Sequence, residues 1–520
     1  MGSPGKLFRD TYSTLLLLFC TLIVMAVIFD NGTKVASEAH PWVAFVVLWL
    51  NLIWLSMVEG GQASLVGLPP VDMNLYKESH PKSHYIMSIV NKGDNLDRYL
   101  MGRQFMVLAL VFIENLCADP LDHSKPVLGM PEIINKLFLG SGLAIFFMTA
   151  MFGKISAQVN ASRCMLDYVN NRFAIFTLQV ARLIEASGLL HCCYLVQMFF
   201  AWAAGQPLES NEAPRNGFQS LFFWGRVLVS LAILVYAFAV TLWALFNERT
   251  TMWEGVPSGI AVVLFFVFMA IVGMLEGMQI AFFAVAKMTE EERAKSAWAK
   301  RTCDVLFEGD GRNLPGFMVG RQMCVTMCFF IIARVTTITS EDGQENIFGV
   351  SEGIQGFFGT GLLGALITTI VASITWQLVA SAFPMAFLST PLTYILLRWC
   401  LFLEWTGLCQ GSWVVAMIHR KIAGFKRDEV YIGTAEERAA KAKADPSSVA
   451  DKDQDVKPGH LYPGVPTLPP DFGVRTHTLE EIEQLEQELN DHKRDVENRL
   501  NELQIQKKAL QQDQEGEQSA

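Results

Sequence analysis

The chain has 520 residues, 51% of them hydrophobic and 18% charged, with a formal net charge of −10. A mean hydropathy of +0.30 describes a chain composed for lipid rather than a set of ordinary soluble domains. The acidic balance comes largely from the C-terminal tail, so no nucleic-acid partner is expected, and the ten cysteines sit mostly in apolar runs where no disulfide framework is implied.

Hydropathy places spans near 12–29, 41–59, 103–118, 137–158, 173–202, 221–246, 258–287, 318–339, 356–380 and 384–415. Each is near the ~20 residues that cross a ~30 Å hydrocarbon layer. The first follows Lys6 and Arg9 but lacks a small-x-small cleavage site, which makes it a retained anchor rather than a secretory signal. Residues 421–477 are polar and rich in Pro, Ser, Asp and Lys, a flexible linker. Over 478–512, Ile482, Leu489, Val496, Leu503 and Leu510 recur every seven residues, the seam of a coiled coil that self-associates or docks on a partner. A solvated single helix is the alternative there, because the second seam holds Leu485, His492, Arg499 and Gln506.

The second half repeats the first. Glu59-Gly60-Gly61-Gln62 recurs as Glu276-Gly277-Met278-Gln279 at an offset of 217, and Met101-Gly102-Arg103-Gln104 as Val319-Gly320-Arg321-Gln322 at 218. Phe138-Leu139-Gly140-Ser141-Gly142-Leu143 recurs as Phe357-Phe358-Gly359-Thr360-Gly361-Leu362 at 219, with Gln158 and Gln377 matching at the same offset. The fold expected is therefore all-α and polytopic, about ten transmembrane helices as two five-helix repeats, 1–202 and 203–420. An odd number of spans per repeat predicts inverted copies with the functional site between them, an architecture found chiefly in secondary transporters. Lys6, Arg9 and the loop with Lys77, Lys82, Lys92 and Arg98 favour cytoplasmic N- and C-termini. The loop with Arg293, Lys295, Lys300 and Arg301 opposes this, since ten spans put it outside.

Ionisable residues inside spans are costly and mark function. In each half Glu and Gln lie three residues apart on one helix face, with a Gly between that permits a break. Arg103 and Arg321 can neutralise Glu59 and Glu276, while Gln104 and Gln322 offer donors and acceptors. An Arg at the mouth of a span is also an ordinary interfacial anchor; the pairing of both motifs in both halves is what points to a site. Glu185 and Glu404 read as interhelical ion pairs with the nearby Arg182 and Arg398.

Paired Glu-Gly-x-Gln and Gly-Arg-Gln motifs, two of each, with a C-terminal coiled coil resemble the diatom silicon transporters over essentially the whole chain. The stretch Cys164-Met165-Leu166-Asp167 resembles a motif of some members, suggested there as a metal site. That resemblance implies sodium-coupled uptake of orthosilicic acid, with germanic acid as an analogue, in the plasma membrane. Glu59, Gln62, Arg103, Gln104, Glu276, Gln279, Arg321 and Gln322 are then the solute-binding candidates. Ser141 and Thr360, each between glycines, are candidate sodium ligands, close helix packing being the alternative. Zinc at Cys164 and Asp167 lacks the four ligands a structural site needs, and no cofactor is otherwise expected. A passive facilitator for small neutral solutes stays open. An enzyme is disfavoured, since no HExxH, nucleotide loop or Ser-His pairing within motif distance occurs.

Overall fold

The computed structural model describes residues 4–120, 127–203, 212, 215–253, 255–293, 296–308, 311–339 and 345–444. Of the linker expected over 421–477, residues 421–444 are described and carry the end of a helix to Ala423 and the short helices Glu429–Ile432 and Ala435–Ala444, with Asp428 and Ile432 buried; the rest of the linker and the coiled coil expected over 478–512 lie outside the described residues. Fourteen helices carry the architecture, seven from each half, in the same order. The first seven are α1 (Pro4–Phe29), α2 (Pro41–Gly67), α3 (Pro81–Val90), α4 (Asn95–Ala118), α5 (Leu143–Ala161), α6 (Arg172–Ala186) and α7 (Cys193–Ala203). Their counterparts are α8 (Gly217–Phe246), α9 (Ser258–Ala284), α10 (Ala297–Leu306), α11 (Asn313–Thr336), α12 (Leu362–Ala382), α13 (Pro391–Trp405) and α14 (Gly411–Ala423).

Eight helices among the described residues are long and apolar enough to cross a membrane: α1, α2, α4, α5, α8, α9, α11 and α12. On α1, Leu17, Cys20, Val24 and Val27 are buried at spacings of three and four while Leu15, Leu18 and Leu22 stay exposed. One stripe packs inward, and the other presents hydrocarbon to lipid.

The expected fifth and tenth spans are not single helices. Each is divided, α6 from α7 and α13 from α14, at Gly188 (φ +83°) and Gly407 (φ +80°), a left-handed backbone that only glycine adopts without strain. The break leaves carbonyls and amides without intrahelical partners, and the first helix of the opposite half fills them. Arg226 of α8 donates to the Ala186 carbonyl at 3.1 Å, and Ser230 Oγ to that of Leu189 at 2.6 Å. Arg9 of α1 likewise donates to the Trp405 carbonyl at 2.7 Å, and Ser13 Oγ to that of Leu408 at 2.7 Å.

With the broken segments set aside, the odd count that predicts inversion fails, and the helix contacts show the opposite sense. Gln62 meets Gln279, and further along Gly67 lies against the Phe283 carbonyl, so α2 and α9 pair residue for counterpart and run the same way. Along α4 and α12, Asp97 lies beside Ser381 and Gln377 Nε2 donates to Gln104 Oε1 at 3.4 Å, an antiparallel pairing. Since α4 is also antiparallel to α2, through Tyr99 at Gly61 and Arg103 at Glu59, α12 runs with α2. The halves therefore stand side by side in one orientation.

Beyond α14, Asp428 is fully buried and accepts from the Met165 and Leu166 amides at 3.1 and 3.0 Å, just past α5. The same carboxylate pairs with Lys287, just past α9, at 3.1 Å. The C-terminal ends of α5, α9 and α14 thus share a face.

Candidate functional site

The two Glu-Gly-x-Gln segments lie inside continuous helices, not at breaks: α2 and α9 run on past Gln62 and Gln279. Their first glycines serve packing instead. A Cβ on Gly60 would sit 2.4 Å from the Tyr168 ring, and one on Gly277 2.4 Å from the Phe387 ring. In the Gly-Arg-Gln segments a Cβ on Gly102 would fall 1.7 Å from the Ala181 carbonyl oxygen, and one on Gly320 1.7 Å from that of Cys400. These contacts bring α6 and α13 flush against α4 and α11 and hold the arginines at a fixed height.

Arg103 and Arg321 are 2% exposed and turn inward to Glu59 and Glu276, themselves buried. Arg321 Nη1 donates to Glu276 Oε1 at 2.9 Å. Arg103 Nη1 stands 3.3 Å from Glu59 Oε2, an ion pair off the angle a hydrogen bond needs, while its Nη2 donates to Gln104 Oε1. A third partner completes each carboxylate: Gln158 Nε2 donates to Glu59 at 2.9 Å, and Gln377 Nε2 to Glu276 at 2.8 Å. These two glutamines were visible as repeat matches. Their signal was an amide kept in an otherwise apolar span in both halves.

Gln279 Nε2 donates to Gln62 Oε1 at 3.1 Å, joining the two motifs directly. Glu59, Arg103, Gln104, Glu276, Arg321 and Gln322 line one cavity of about 290 Å³ between the halves. Its other walls come from Val107 to Val111 of α4, Lys154 of α5, and α11 and α12 as far as Thr337 and Gly361. Several buried polar atoms around this junction lack a partner: Arg103 Nε, Arg321 Nε, Gln62 Nε2, Gln158 Oε1 and Gln377 Oε1. Native interiors satisfy most such groups, so this concentration of free donors and acceptors suits a small polar guest.

The remaining candidates lie apart. Ser141 and Thr360 are exposed, turn their hydroxyls onto the Leu137 and Phe357 carbonyls, and do not line the cavity, although Gly361 does. Asp167 is occupied: its Oδ1 meets His80 Nε2 at 3.0 Å and its Oδ2 accepts from the Lys426 amide at 2.7 Å. Burial pushes the Cys164 thiol up to about 11, which keeps it protonated at neutral pH. No cluster of three or more His, Cys, Asp or Glu able to hold a metal occurs among the described residues. His80, distant in sequence, is the one histidine the local motif could not reveal. Glu185 feels the charge of Arg182, as expected, and also stands 3.4 Å from His191, while Glu404 lies 3.8 Å from Arg312.

Eight apolar helices among the described residues, with two buried Glu-Arg pairs lining one cavity between the halves, describe a polytopic α-helical membrane protein built as a transporter would be. The chain matches the Silicon transporter family over residues 1–520, its whole length, and belongs to that family. No curated protein and no solved structure matches it.

Proposed function

We propose that the chain is a sodium-coupled symporter that takes up orthosilicic acid, the cavity between the two halves being the solute site and alternating access its mechanism. The observation that carries this reading is the cluster of unsatisfied buried amide and guanidinium atoms around the two Glu-Arg pairs. Silicic acid is a neutral tetrahedron of four hydroxyls, each a donor and an acceptor. Amides and carboxylates match it; an apolar or singly charged pocket does not. Gln104 and Gln322, which line the cavity, contact the solute, Gln62 and Gln279, buried behind its lining, reach it in a state other than this one, and the arginines hold the carboxylates in place. Ser141 and Thr360 stay candidate sodium ligands in a state other than this one.

The halves are duplicated copies related by a pseudo-twofold axis along the membrane normal, and they rock about the junction at Gln62 and Gln279. On this reading, with eight crossings, the loop with Arg293, Lys300 and Arg301 shares a face with Lys77, Lys82, Lys92 and Arg98. The conflict in the charge rule then disappears, and both termini are cytoplasmic at the plasma membrane. The coiled coil mediates self-association or docks on a partner.

Purified full-length protein in liposomes tests the reading with radiolabelled germanic acid. Accumulation above the outside concentration with an inward sodium gradient, and none with choline, is expected. Equal, non-concentrative flux in both would mean a facilitator.

A further inference from the structure

We propose that Lys154 contacts the solute and makes the two halves of the cavity unequal, its ammonium selecting a weak, oxygen-rich hydroxy acid over a polyol. This deepens the silicic acid reading and rests on it.

Lys154 stands in the π-helical turn Thr149–Ile155 of α5 and lines the cavity with the motif residues. Arg103 and Arg321 in that cavity are balanced by Glu59 and Glu276. Lys154 has no such balance: among the described residues no carboxylate lies within ion-pairing distance of its Nζ. Glu114, whose charge reaches it, spends one oxygen on the Thr149 hydroxyl at 2.8 Å. An ammonium inside a membrane span is costly unless the contents of an aqueous cavity meet it.

The position is also where the copies part. The counterpart of Lys154 at the repeat offset is Ser373, which lines the same cavity with a fully buried hydroxyl that has no hydrogen-bond partner. One half thus offers a cation with three donors and no acceptor, the other a hydroxyl that both donates and accepts. A tetrahedral hydroxy acid suits that pair. Its oxygen accepts from the ammonium, which draws electron density and makes its remaining O–H groups better donors toward the Ser373 hydroxyl. An alcohol polarises less and gains less.

Binding of radiolabelled germanic acid to full-length protein in detergent, by equilibrium dialysis, is measured beside uptake in liposomes. Lys154→Ser is expected to weaken binding by about tenfold, the scale of a hydrogen bond to a charged group, with erythritol failing to compete in the wild type. Maximal uptake should fall much less than affinity. Lys154→Arg should stay within about threefold of wild type, because the charge and donors are kept. The exchange Lys154→Ser with Ser373→Lys should recover most of the loss, since the ammonium re-enters the same cavity from the other wall. Wild-type affinity in Lys154→Ser, or a loss that neither Arg nor the exchange relieves, overturns the proposal. Lys154-dependent binding without concentrative uptake would sink the symport reading and leave this one standing; no binding by the wild type would sink both.

Discussion

Gln279 Nε2 donates to Gln62 Oε1 at 3.1 Å, although each residue is the other's counterpart in the repeat. A hydrogen bond between equivalent groups cannot be shared equally: one amide donates, the other accepts. The unequal outcome leaves Gln62 Nε2 buried and without a partner at the junction of the halves. The symmetry of the sequence is thus broken at the place where a solute oxygen would be welcome.

Replacing either glutamine by Ala should therefore weaken uptake, and not equally. Gln62→Ala removes the free donor as well as the shared bond and should raise KM by about fivefold or more, the scale of one hydrogen bond lost. Gln279→Ala removes the shared bond alone and should do less. Concentration-dependent uptake in liposomes, normalised to protein reaching the bilayer, reads the difference. Equal effects would mean that the two amides are interchangeable.

The Glu276-Arg321 pair should behave as a buried ion pair whose halves are worse alone than absent together. Arg321→Met leaves the Glu276 carboxylate with the Gln377 amide as its hydrogen-bond donor and should cost about 3–5 kcal/mol of stability. The double variant Glu276→Gln with Arg321→Met should cost less than the sum of the two single changes. Thermal unfolding in detergent, followed by loss of monodisperse protein, measures this cycle. Additive losses would mean that the two groups do not sense each other.

The glycines of the Gly-Arg-Gln motifs make a sharper packing prediction. Gly102→Ala and Gly320→Ala each drive a methyl into a helix carbonyl oxygen at 1.7 Å, which no rotamer change relieves because the obstacle is backbone. A separation of α4 from α6, or of α11 from α13, must follow, and a loss of about 3 kcal/mol or more is expected. Gly217→Ala, at the start of α8 with nothing within 4 Å of its Cβ, should be neutral or mildly stabilising. The same unfolding assay separates the two classes.

What the sequence made legible follows from which signals are local. Apolar length marked the eight full crossings, and the offset of 217 to 219 marked the copies. The direction of the second copy was not local. It depended on whether residues 173–202 cross once, and there Gly188 breaks the helix at φ +83° while Arg226 and Ser230 from another helix satisfy the opened turn. The site showed a similar division. Glu59 and Arg103 were evident as charges in spans, whereas the role of Gly60 as a seat for Tyr168 required the fold. His80 beside Asp167 is a contact across 87 positions that no local motif spans.

Asp428 supplies the last prediction. It ties the ends of α5 and α9 together through the Met165 and Leu166 amides and Lys287, so it spans both halves on one face. Burial raises its carboxyl above the ordinary range, opposed by the Lys287 charge and the two amides. A raised folded-state value means that the protonated form is favoured on folding. The contribution is therefore full below the unfolded value and shrinks as pH rises through the folded one. Above it, the ionised carboxylate relies on Lys287 for compensation. Lys287→Met, which also takes the 3.2 Å partner of Glu429 away, should then destabilise the protein by about 3 kcal/mol at neutral pH, and the deficit should narrow as pH is lowered and Asp428 takes up a proton. Asp428→Ala removes the titrating group itself, so its deficit should run the other way, largest at low pH and shrinking as pH rises. Unfolding midpoints of both variants across that range decide the matter, and parallel curves would mean that Lys287 does not balance this carboxylate.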